Sequence, residues 1–251
     1  MRFSSGITRR ANSVLSTVVP GDPAAVAAAV DEVERRSAER WLAPTFQVWE
    51  PAPGSAGTAD AAGRAGAEDA GFLEGQRRLA ALLEARGYTT VAPTRVLWMG
   101  REGIPRDTQW DPRVIVSETL SDTWLDAHMG PSAGGVDPAS RLVYRRLLTG
   151  GSSRFYSYQD GQGVPAAIAK VSLVQDGDAT FGGVYGLKVR PDRRGAGLVR
   201  RIIEAMFHHA VRMGLDGVWI QVEERSERAL ALSAELGFAT AARYRYLTRP
   251  T

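Results

Sequence analysis

The stretch that decides the fold is "VRPDRRGAGLVRR", residues Val189–Arg201. A strand-like segment ends at Pro191, two glycines follow at Gly195 and Gly197, and an apolar helical pattern starts directly after them. Glycine lets a bound group approach the backbone closely, and the N-terminus of a helix attracts anions. The stretch therefore predicts either a phosphate-binding strand–loop–helix unit or a basic surface turn.

Three kinds of phosphate site compete for this stretch. A P-loop ends in Gly-Lys followed by Ser or Thr, and "RRGAGLVRR" contains neither Lys nor Ser or Thr. A dinucleotide-binding fingerprint needs a third glycine, which is missing. The third kind is a turn whose main-chain N–H groups point at a pyrophosphate from the start of a long helix, and the residues favour it.

Composition excludes several classes of protein. Hydrophobic residues make up 44% of the 251 residues, enough for a core, and no run of about eighteen apolar residues predicts a membrane span. The first residues have no apolar signal-peptide core, so we expect a cytoplasmic protein without a membrane partner. The chain has no cysteine, and His128, His208 and His209 have no metal-ligand spacing, so we expect no metal site.

The charge pattern does not predict a nucleic-acid partner. The net charge is +3, and acidic residues alternate with basic ones in segments such as "DEVERRSAER" and "EERSER". Lys170 and Lys188 are the only lysines among 31 cationic residues. We interpret the excess of arginine as the bias of a GC-rich genome.

The first part of the chain predicts the order β-α-β-loop-α-β over roughly residues 5–105. Residues 50–71 are rich in Pro, Ala, Gly and Ser and predict a mobile loop. The other predicted elements are a strand in "ITRRANSVLSTV", a helix over Pro23–Arg40, a strand in "PTFQVWE", a helix over Leu73–Arg86 and a strand near Thr94–Met99.

A second series of elements starts near Arg113. It comprises strand "RVIVSE", two helices capped by Ser121 and Asp137, a hairpin around "DGQG", strand "ATFGGVYGLKV", a long helix after Gly197, strand "GVWIQV", a further helix and a pair of strands over Phe238–Leu247. "LLEARGY" at 82–88 and "LSAELGF" at 232–238 form a faint internal repeat. The repeat supports two related halves.

Two segments together resemble a known family. "LKVRPDRRGAGLVRRII" resembles the acyl-CoA pyrophosphate signature of the Gcn5-related N-acetyltransferases (GNAT), and "IQVEERSERALALSAELGF" resembles their second signature. The resemblance implies an α/β fold, a central twisted mixed sheet flanked by helices, in residues 109–251. It also implies that residues 1–108 are a degenerate GNAT-like half, as in actinobacterial members of the family.

The resemblance implies acetyl-CoA as the acyl donor and places it on main-chain atoms. Leu187, Lys188 and Val189 would pair with the pantetheine arm as a further strand would. Ser226 stands near that arm, where the family commonly has Asn. The pyrophosphate would lie on the main chain of Arg194, Gly195, Ala196, Gly197, Leu198 and Val199.

The catalytic residues are less like the family. Ser233 replaces the tyrosine that commonly protonates the departing thiolate, and Val199 replaces a usual Gly or Ala. Glu223, at the end of a strand, is the candidate base, with a solvated carboxylate as the equal alternative. Tyr185 is a candidate for the acceptor pocket or for the core. His208 and His209 are expected to be structural.

The expected function is transfer of an acetyl group to a primary amine of a small molecule by direct attack on the thioester. Two alternatives stay open: an inactive domain that binds acyl-CoA as a sensor or scaffold, and an acyltransferase that uses another acyl-CoA or another nucleophile. The sequence leaves the acceptor and the oligomeric state open.

Overall fold

The computed structural model describes residues 9–51, 67–130, 137–161 and 163–249. The chain forms two compact units, each assembled from separate segments. The first unit contains Met1–Val96, Val222–Glu227 and Thr240–Thr251, and the second contains Leu97–Gln221 and Arg228–Ala239. Among the helices in these ranges, none is both long enough and apolar enough to cross a membrane.

The first unit begins with alternating strands and helices. They are β1 (Val14–Leu15), α1 (Pro23–Ala38), β2 (Thr45–Glu50), α2 (Ala67–Ala85) and the first part of β3 (Thr89–Gly100), and most of β9 (Ala239–Thr248) joins them. The strand order is β1-β2-β9-β3. β1 runs parallel to β2, and β2 runs antiparallel to β9.

Helices α1 and α2 bury one side of this part of the sheet. The side chain of Asp22 accepts hydrogen bonds from the N–H groups of Ala24 and Ala25 and caps α1. Gln76 on α2 is fully buried, where it accepts from Trp49 N and donates to Ser16 O. The core around these helices consists of Val26, Val30, Phe46, Val48, Leu79, Ala80, Leu83, Tyr88 and Leu247.

The second unit carries the longest strands. Its elements are β4 (Val114–Ser117), α3 (Asp122–Met129), α4 (Pro138–Thr149), β5 (Ser153–Gln159), β6 (Pro165–Asp176), β7 (Ala179–Val189), α5 (Leu198–Arg212), most of β8 (Gly217–Glu223) and most of α6 (Glu227–Glu235). Its strands lie in the order β8-β7-β6-β5-β4. The pairs from β4 to β7 are antiparallel, and β7 runs parallel to β8.

The two faces of this sheet are covered by different helices. α5 buries the predicted apolar stripe, including Ile202, Ile203, Met206 and Ala210. α3 packs Trp124 and Leu125 into a second core with Leu120, Leu148, Phe155 and Ile168. The second unit is therefore an α/β layer structure, as expected from the sequence.

Local signals in the sequence predicted most elements of this unit. Ser121 caps α3 and Asp137 caps α4, as predicted, and β5 and β6 flank the predicted turn. The predicted pair of C-terminal strands is wrong, because β9 is a single strand. Its sequence, "ATAARYRYLT", contains no Gly, Pro, Asn or Asp that would form a turn.

The first unit departs from prediction at its start and near its loop. The predicted strand "ITRRANSVLSTV" contains a short 3-10 helix, Arg10–Asn12, and the two residues of β1. α2 begins at Ala67, inside the loop predicted over residues 50–71. "AED" favours a helical first turn. Residues 52–66 of that predicted loop lie outside the described residues.

The internal repeat corresponds to the same helix ending in both halves. After α2, Gly87 has φ +81° and Tyr88 N donates to Leu83 O at 3.0 Å. After α6, Gly237 has φ +91° and Phe238 N donates to Ser233 O at 3.0 Å. Both endings form the same C-terminal cap, which requires glycine at the left-handed position.

Candidate functional site

A cleft of about 780 Å³ lies in the second unit, between α3, the start of β6 and the end of β7. Its lining includes Ile168 of β6 and four of the residues predicted to bind the cofactor: Leu187, Lys188, Val189 and Arg194. Its size and largely concave form suit a small organic ligand.

The end of β7 extends beyond the strand ladder on its β8 side. That ladder joins Phe181–Val184 to Gly217–Ile220 and ends there, while β7 continues to Val189. On the β6 side, Val189 pairs with Ala167, and Arg190 N donates to Ala166 O at 2.9 Å. Because backbone groups alternate between the two edges of a strand, the N–H of Val189 points away from β6.

A β-bulge interrupts β7 just before this end. The register shifts between Ile168 and Lys170 on β6, and Gly186 on β7 has φ +61°. A residue with a side chain is strained at this φ, so glycine is required for the bulge. The bulge bends β7 at the point where it passes the last rung with β8.

After β7, a short 3-10 helix at Pro191–Arg193 leads into the residues from Arg194 to Val199, hereafter the glycine loop, which includes the first two residues of α5. Gly195 has φ +82° and Gly197 has φ +71°, and no heavy atom lies within 4 Å of the place where a β-carbon would stand at either. Gly197 supplies no side-chain cap for α5. The first N–H groups of α5 have no acceptor within the helix. This open loop therefore presents hydrogen-bond donors that suit an anion.

Ion pairs hold the junction between β7 and the glycine loop. Arg190 donates to Asp160 at 2.5 Å and to Asp192 at 2.7 Å, and Arg193 lies 3.5 Å from Asp160. The Asp160 side chain is only 5% exposed. The hydrogen bonds from Arg190 to Asp192 and Asp160 raise the pKa of Arg190 above its ordinary value, so the junction stays charged and fixed.

A second hollow, of about 590 Å³, lies on the other side of the glycine loop. Its lining includes Ala196, Gly197 and Arg200. At its edge, Asp111 accepts from Arg113 and from Arg201, and the hydrogen bond from Arg113 holds the pKa of Asp111 far below its ordinary value. The glycine loop is therefore accessible from two sides.

A group of residues packs against the bulge on the α3 side; we call Trp124, His128, Lys170, Gly186 and Lys188 the His128 cluster. The rings of His128 and Trp124 are stacked, with centroids 5.3 Å apart. A β-carbon on Gly186 would lie 3.2 Å from His128 Nδ1. Lys188 Nζ donates to the carbonyl oxygen of His128. The ring of His128 therefore fills the space beside the bulge that only glycine leaves open.

His128 is neutral in this environment. Burial, together with the nearby charges of Lys188 and Lys170, lowers its pKa from 6.5 to about 4. Its Nδ1 atom is buried and, within the described part of the chain, has no hydrogen-bond partner. A buried polar atom without a partner is costly, which makes this ring a candidate for contact with a ligand.

The residues predicted for catalysis differ in burial and are divided between the two units. Ser233 is 4% exposed, and its hydroxyl donates to Ala229 O at 2.8 Å within α6. Tyr185 contacts Trp219 edge to face at 6.5 Å in the second unit. Glu223 and Ser226 belong to the first unit, where Glu223 pairs with Arg225 at 2.6 Å and Ser226 is exposed.

The remaining histidines lie in the middle of α5. His209 Nδ1 is 3.0 Å from the hydroxyl of Tyr156, and the rings of His208 and His209 both contact Trp110 edge to face. Within the described residues, no group of three histidine, aspartate or glutamate side chains has the arrangement of a metal site.

Sequence reasoning missed His128, Lys170 and the bulge at Gly186. A glycine within a strand is a known sign of a bulge. The two lysines also carried a signal, because the only lysines of the chain lie on the neighbouring strands β6 and β7. The amino-acid composition alone, however, does not show that the two lysines lie close together in the fold.

Comparison with known proteins identifies the family to which this chain belongs. The family model described as "Probable histone acetyltransferase Rv0428c C-terminal" matches residues 73–247. A search of curated proteins finds no significant match.

Solved structures resemble this chain in fold. A GCN5-related N-acetyltransferase from Kribbella flavida has a TM-score of 0.58 and 18% identity, covering 93% of this chain and 78% of its own. A tandem GNAT protein from the clavulanic acid biosynthesis pathway has a TM-score of 0.58 and 16% identity, covering 89% and 68%. A GCN5-related N-acetyltransferase from Sphaerobacter thermophilus has a TM-score of 0.56 and 14% identity, covering 90% and 67%. At these identities the likeness shows the fold.

Proposed function

Since this chain belongs to the matched family, within the Gcn5-related N-acetyltransferases, and is an acyltransferase, we propose that it transfers an acetyl group from acetyl-CoA to a primary amine. One observation carries the proposal. A strand end that extends beyond its ladder leads, through a short 3-10 helix, into an open glycine loop at the N-terminus of a helix. Pantetheine and pyrophosphate need these two features, one for an amide chain and one for an anion.

The protein main chain provides most of the donor site. The first N–H groups of α5 and the glycine loop bind the pyrophosphate, and exposed Arg194 adds a positive charge beside it. The nucleotide end of the donor extends towards the hollow lined by Ala196 and Arg200. The edge of β7 from Leu187 to Val189 pairs with the pantetheine amides.

The reaction is a direct attack on the thioester. The amine nitrogen attacks the carbonyl carbon, the N–C bond forms, the C–S bond breaks, and the electron pair of that bond leaves with sulfur. The N–H of Val189 points to the side where the thioester oxygen would lie and stabilises its developing charge, a contribution of about 3 kcal/mol. Glu223 stays the proposed acceptor of the ammonium proton.

Release of free thiol tests this function against its rivals. The protein is incubated with acetyl-CoA and a panel of amines, among them small amines, amino acids and a histone-tail peptide. We expect rapid thiol release with at least one amine. Tight CoA binding without any turnover would instead support a sensor or scaffold, and faster turnover with a longer acyl-CoA would identify another donor.

A further inference from the structure

Lys170 is a buried cation that the proposed donor site does not use. It lies on β6 and is 7% exposed. Among the described residues, no side chain or carbonyl accepts a hydrogen bond from its ammonium or pairs with its charge. Burial lowers its pKa, as expected for a charge removed from water without a partner.

The strand register places Lys170 on the side of the sheet that carries α3. Ile168 packs against Trp124 in the core under α3, and side chains two residues apart on a strand share a face. Lys170 is opposite Tyr185, and Ile168 is opposite Lys188. Both lysines therefore lie on the face of the sheet that carries α3, and Lys188 lines the cleft.

The carboxylates of the nearby elements already have partners. On α3, Asp126 pairs with Arg141, and Asp122 pairs with Arg141 and Arg145. Asp160, beside the β7 junction, pairs with Arg190. Residues 131–136, "PSAGGV", contain no acidic residue. The charge that would neutralise Lys170 is thus not supplied from these parts of the chain.

The pyrophosphate of the donor is too far away to neutralise Lys170. Tyr185, opposite Lys170, is four residues before Val189, and the glycine loop begins only after that point. Four residues of strand span roughly 13 Å. A charge bound at the glycine loop is therefore separated from Lys170 by at least this length of strand.

We propose that Lys170 binds the carboxylate of the acceptor, so that the acceptor is an amine that also carries a carboxylate, as amino acids do. The proposal rests on the proposed function. A single buried ammonium matches a single negative charge, and a charge-assisted hydrogen bond would repay its burial. The unpartnered Nδ1 of His128, in the same cluster, is a second polar group for this acceptor. A polycationic acceptor such as a lysine-rich tail would be repelled.

The test uses pairs of acceptors that differ only in this charge: amino acids and their carboxamides. We expect the wild-type protein to prefer the carboxylate member by roughly 10- to 100-fold in kcat/KM. Lys170→Met should bring this ratio close to one, chiefly by raising KM for the carboxylate. A wild-type protein without the preference, or an equal loss of kcat for both members in the variant, would overturn the proposal.

The melting temperature distinguishes loss of the carboxylate site from damage to the fold, because damage to the fold would lower it. Met fills a similar volume without charge, so Lys170→Met should raise the melting temperature. Lys188→Met is the matched control, because the ammonium of Lys188 already donates to His128 O. It should lower the melting temperature and keep the carboxylate preference. If Lys188→Met alone abolishes the preference, the carboxylate binds at Lys188 and the proposal is wrong.

Binding without turnover separates this proposal from the proposed function. If no amine releases thiol, the acyl-transfer function fails. The carboxylate site is still tested, because amino acids at millimolar concentration should raise the melting temperature of the wild-type protein more than their carboxamides do. That difference should vanish in Lys170→Met, and its absence from the wild type would count against Lys170 as a carboxylate site.

Discussion

The glycine loop and the His128 cluster, which both lie in the second unit, are built by different means. The glycine loop uses main-chain groups of consecutive residues, with two glycines at positive φ and the first turn of α5. The His128 cluster uses side chains from α3, β6 and β7. A main-chain site depends on where glycines stand, whereas a side-chain site depends on the identity of each residue.

The glycine loop and the His128 cluster also differ in what they cost the stability of the fold. The glycine loop is exposed, and its donors are the orphan amides that every helix has at its N-terminus. The His128 cluster holds the buried side chain of Lys170 and the buried Nδ1 of His128, and within the described residues that Nδ1 has no hydrogen-bond partner. Such groups reduce stability, so their presence favours a functional role over a structural one.

The largest effect is expected at the glycine loop, with Val199→Asp. Val199 is the second residue of α5, so a carboxylate there would accept from the orphan amides and repel the pyrophosphate. We expect CoA affinity, measured by calorimetry, to fall by more than about 100-fold. The melting temperature should be unchanged or higher, because an acidic residue in the first turn stabilises a helix.

Val211→Asp is the matched control for that change. Val211 is on the same helix, in its last turn, and is 40% exposed. The same substitution there should leave CoA affinity within about threefold, since it is remote from the loop and screened by solvent. Equal affinity of Val199→Asp and the wild type would show that the pyrophosphate binds elsewhere.

Glu223→Gln tests the base that the sequence predicts. If Glu223 accepts the proton of the amine, the change should lower kcat/KM by about 100-fold and flatten the acidic limb of the pH–rate profile. Glu224→Gln is the control, because Glu224 pairs with Arg95 and Arg243. It should affect stability more than rate. An unchanged profile in Glu223→Gln would assign the proton to another group or to water.

The His128 cluster makes its own contribution to the pH dependence of stability. The pKa of His128 is 6.5 when unfolded and about 4 in the fold, so its contribution is present above pH 6.5 and lost as the pH falls towards 4. From pH 7.5 to pH 4.5 the wild type should lose about 2–3 kcal/mol more unfolding free energy than His128→Phe, which keeps a ring on Trp124. Denaturant titrations at the two pH values measure this difference, and parallel losses would contradict it.

Local patterns predicted the glycine loop and the caps of α3 and α4, because each depends on a few neighbouring residues. Gly195 and Gly197 have the positive φ that glycine permits, and Ser121 accepts from Trp124 N as predicted. The His128 cluster was not predictable in this way, since its members come from α3, β6 and β7 and are brought together by the strand register and the packing of α3. The prediction divided the segment that forms β9 into two strands, although that segment contains no residue that would form a turn. It was therefore wrong there.

The smallest effect is expected for Ser233→Ala, which tests whether side chains outside the His128 cluster take part in the chemistry. Ser233 replaces the tyrosine that commonly protonates the departing thiolate in the family, and a water held by its hydroxyl would relay part of that proton transfer. Its hydroxyl proton, however, donates to Ala229 O at 2.8 Å, so any assistance requires that bond to open. We therefore expect kcat to fall by less than about tenfold, and the unfolding free energy to change by less than about 1 kcal/mol. A larger loss of kcat at unchanged stability, with the greatest loss at high pH, would show that the hydroxyl leaves the helix and donates to the departing thiolate.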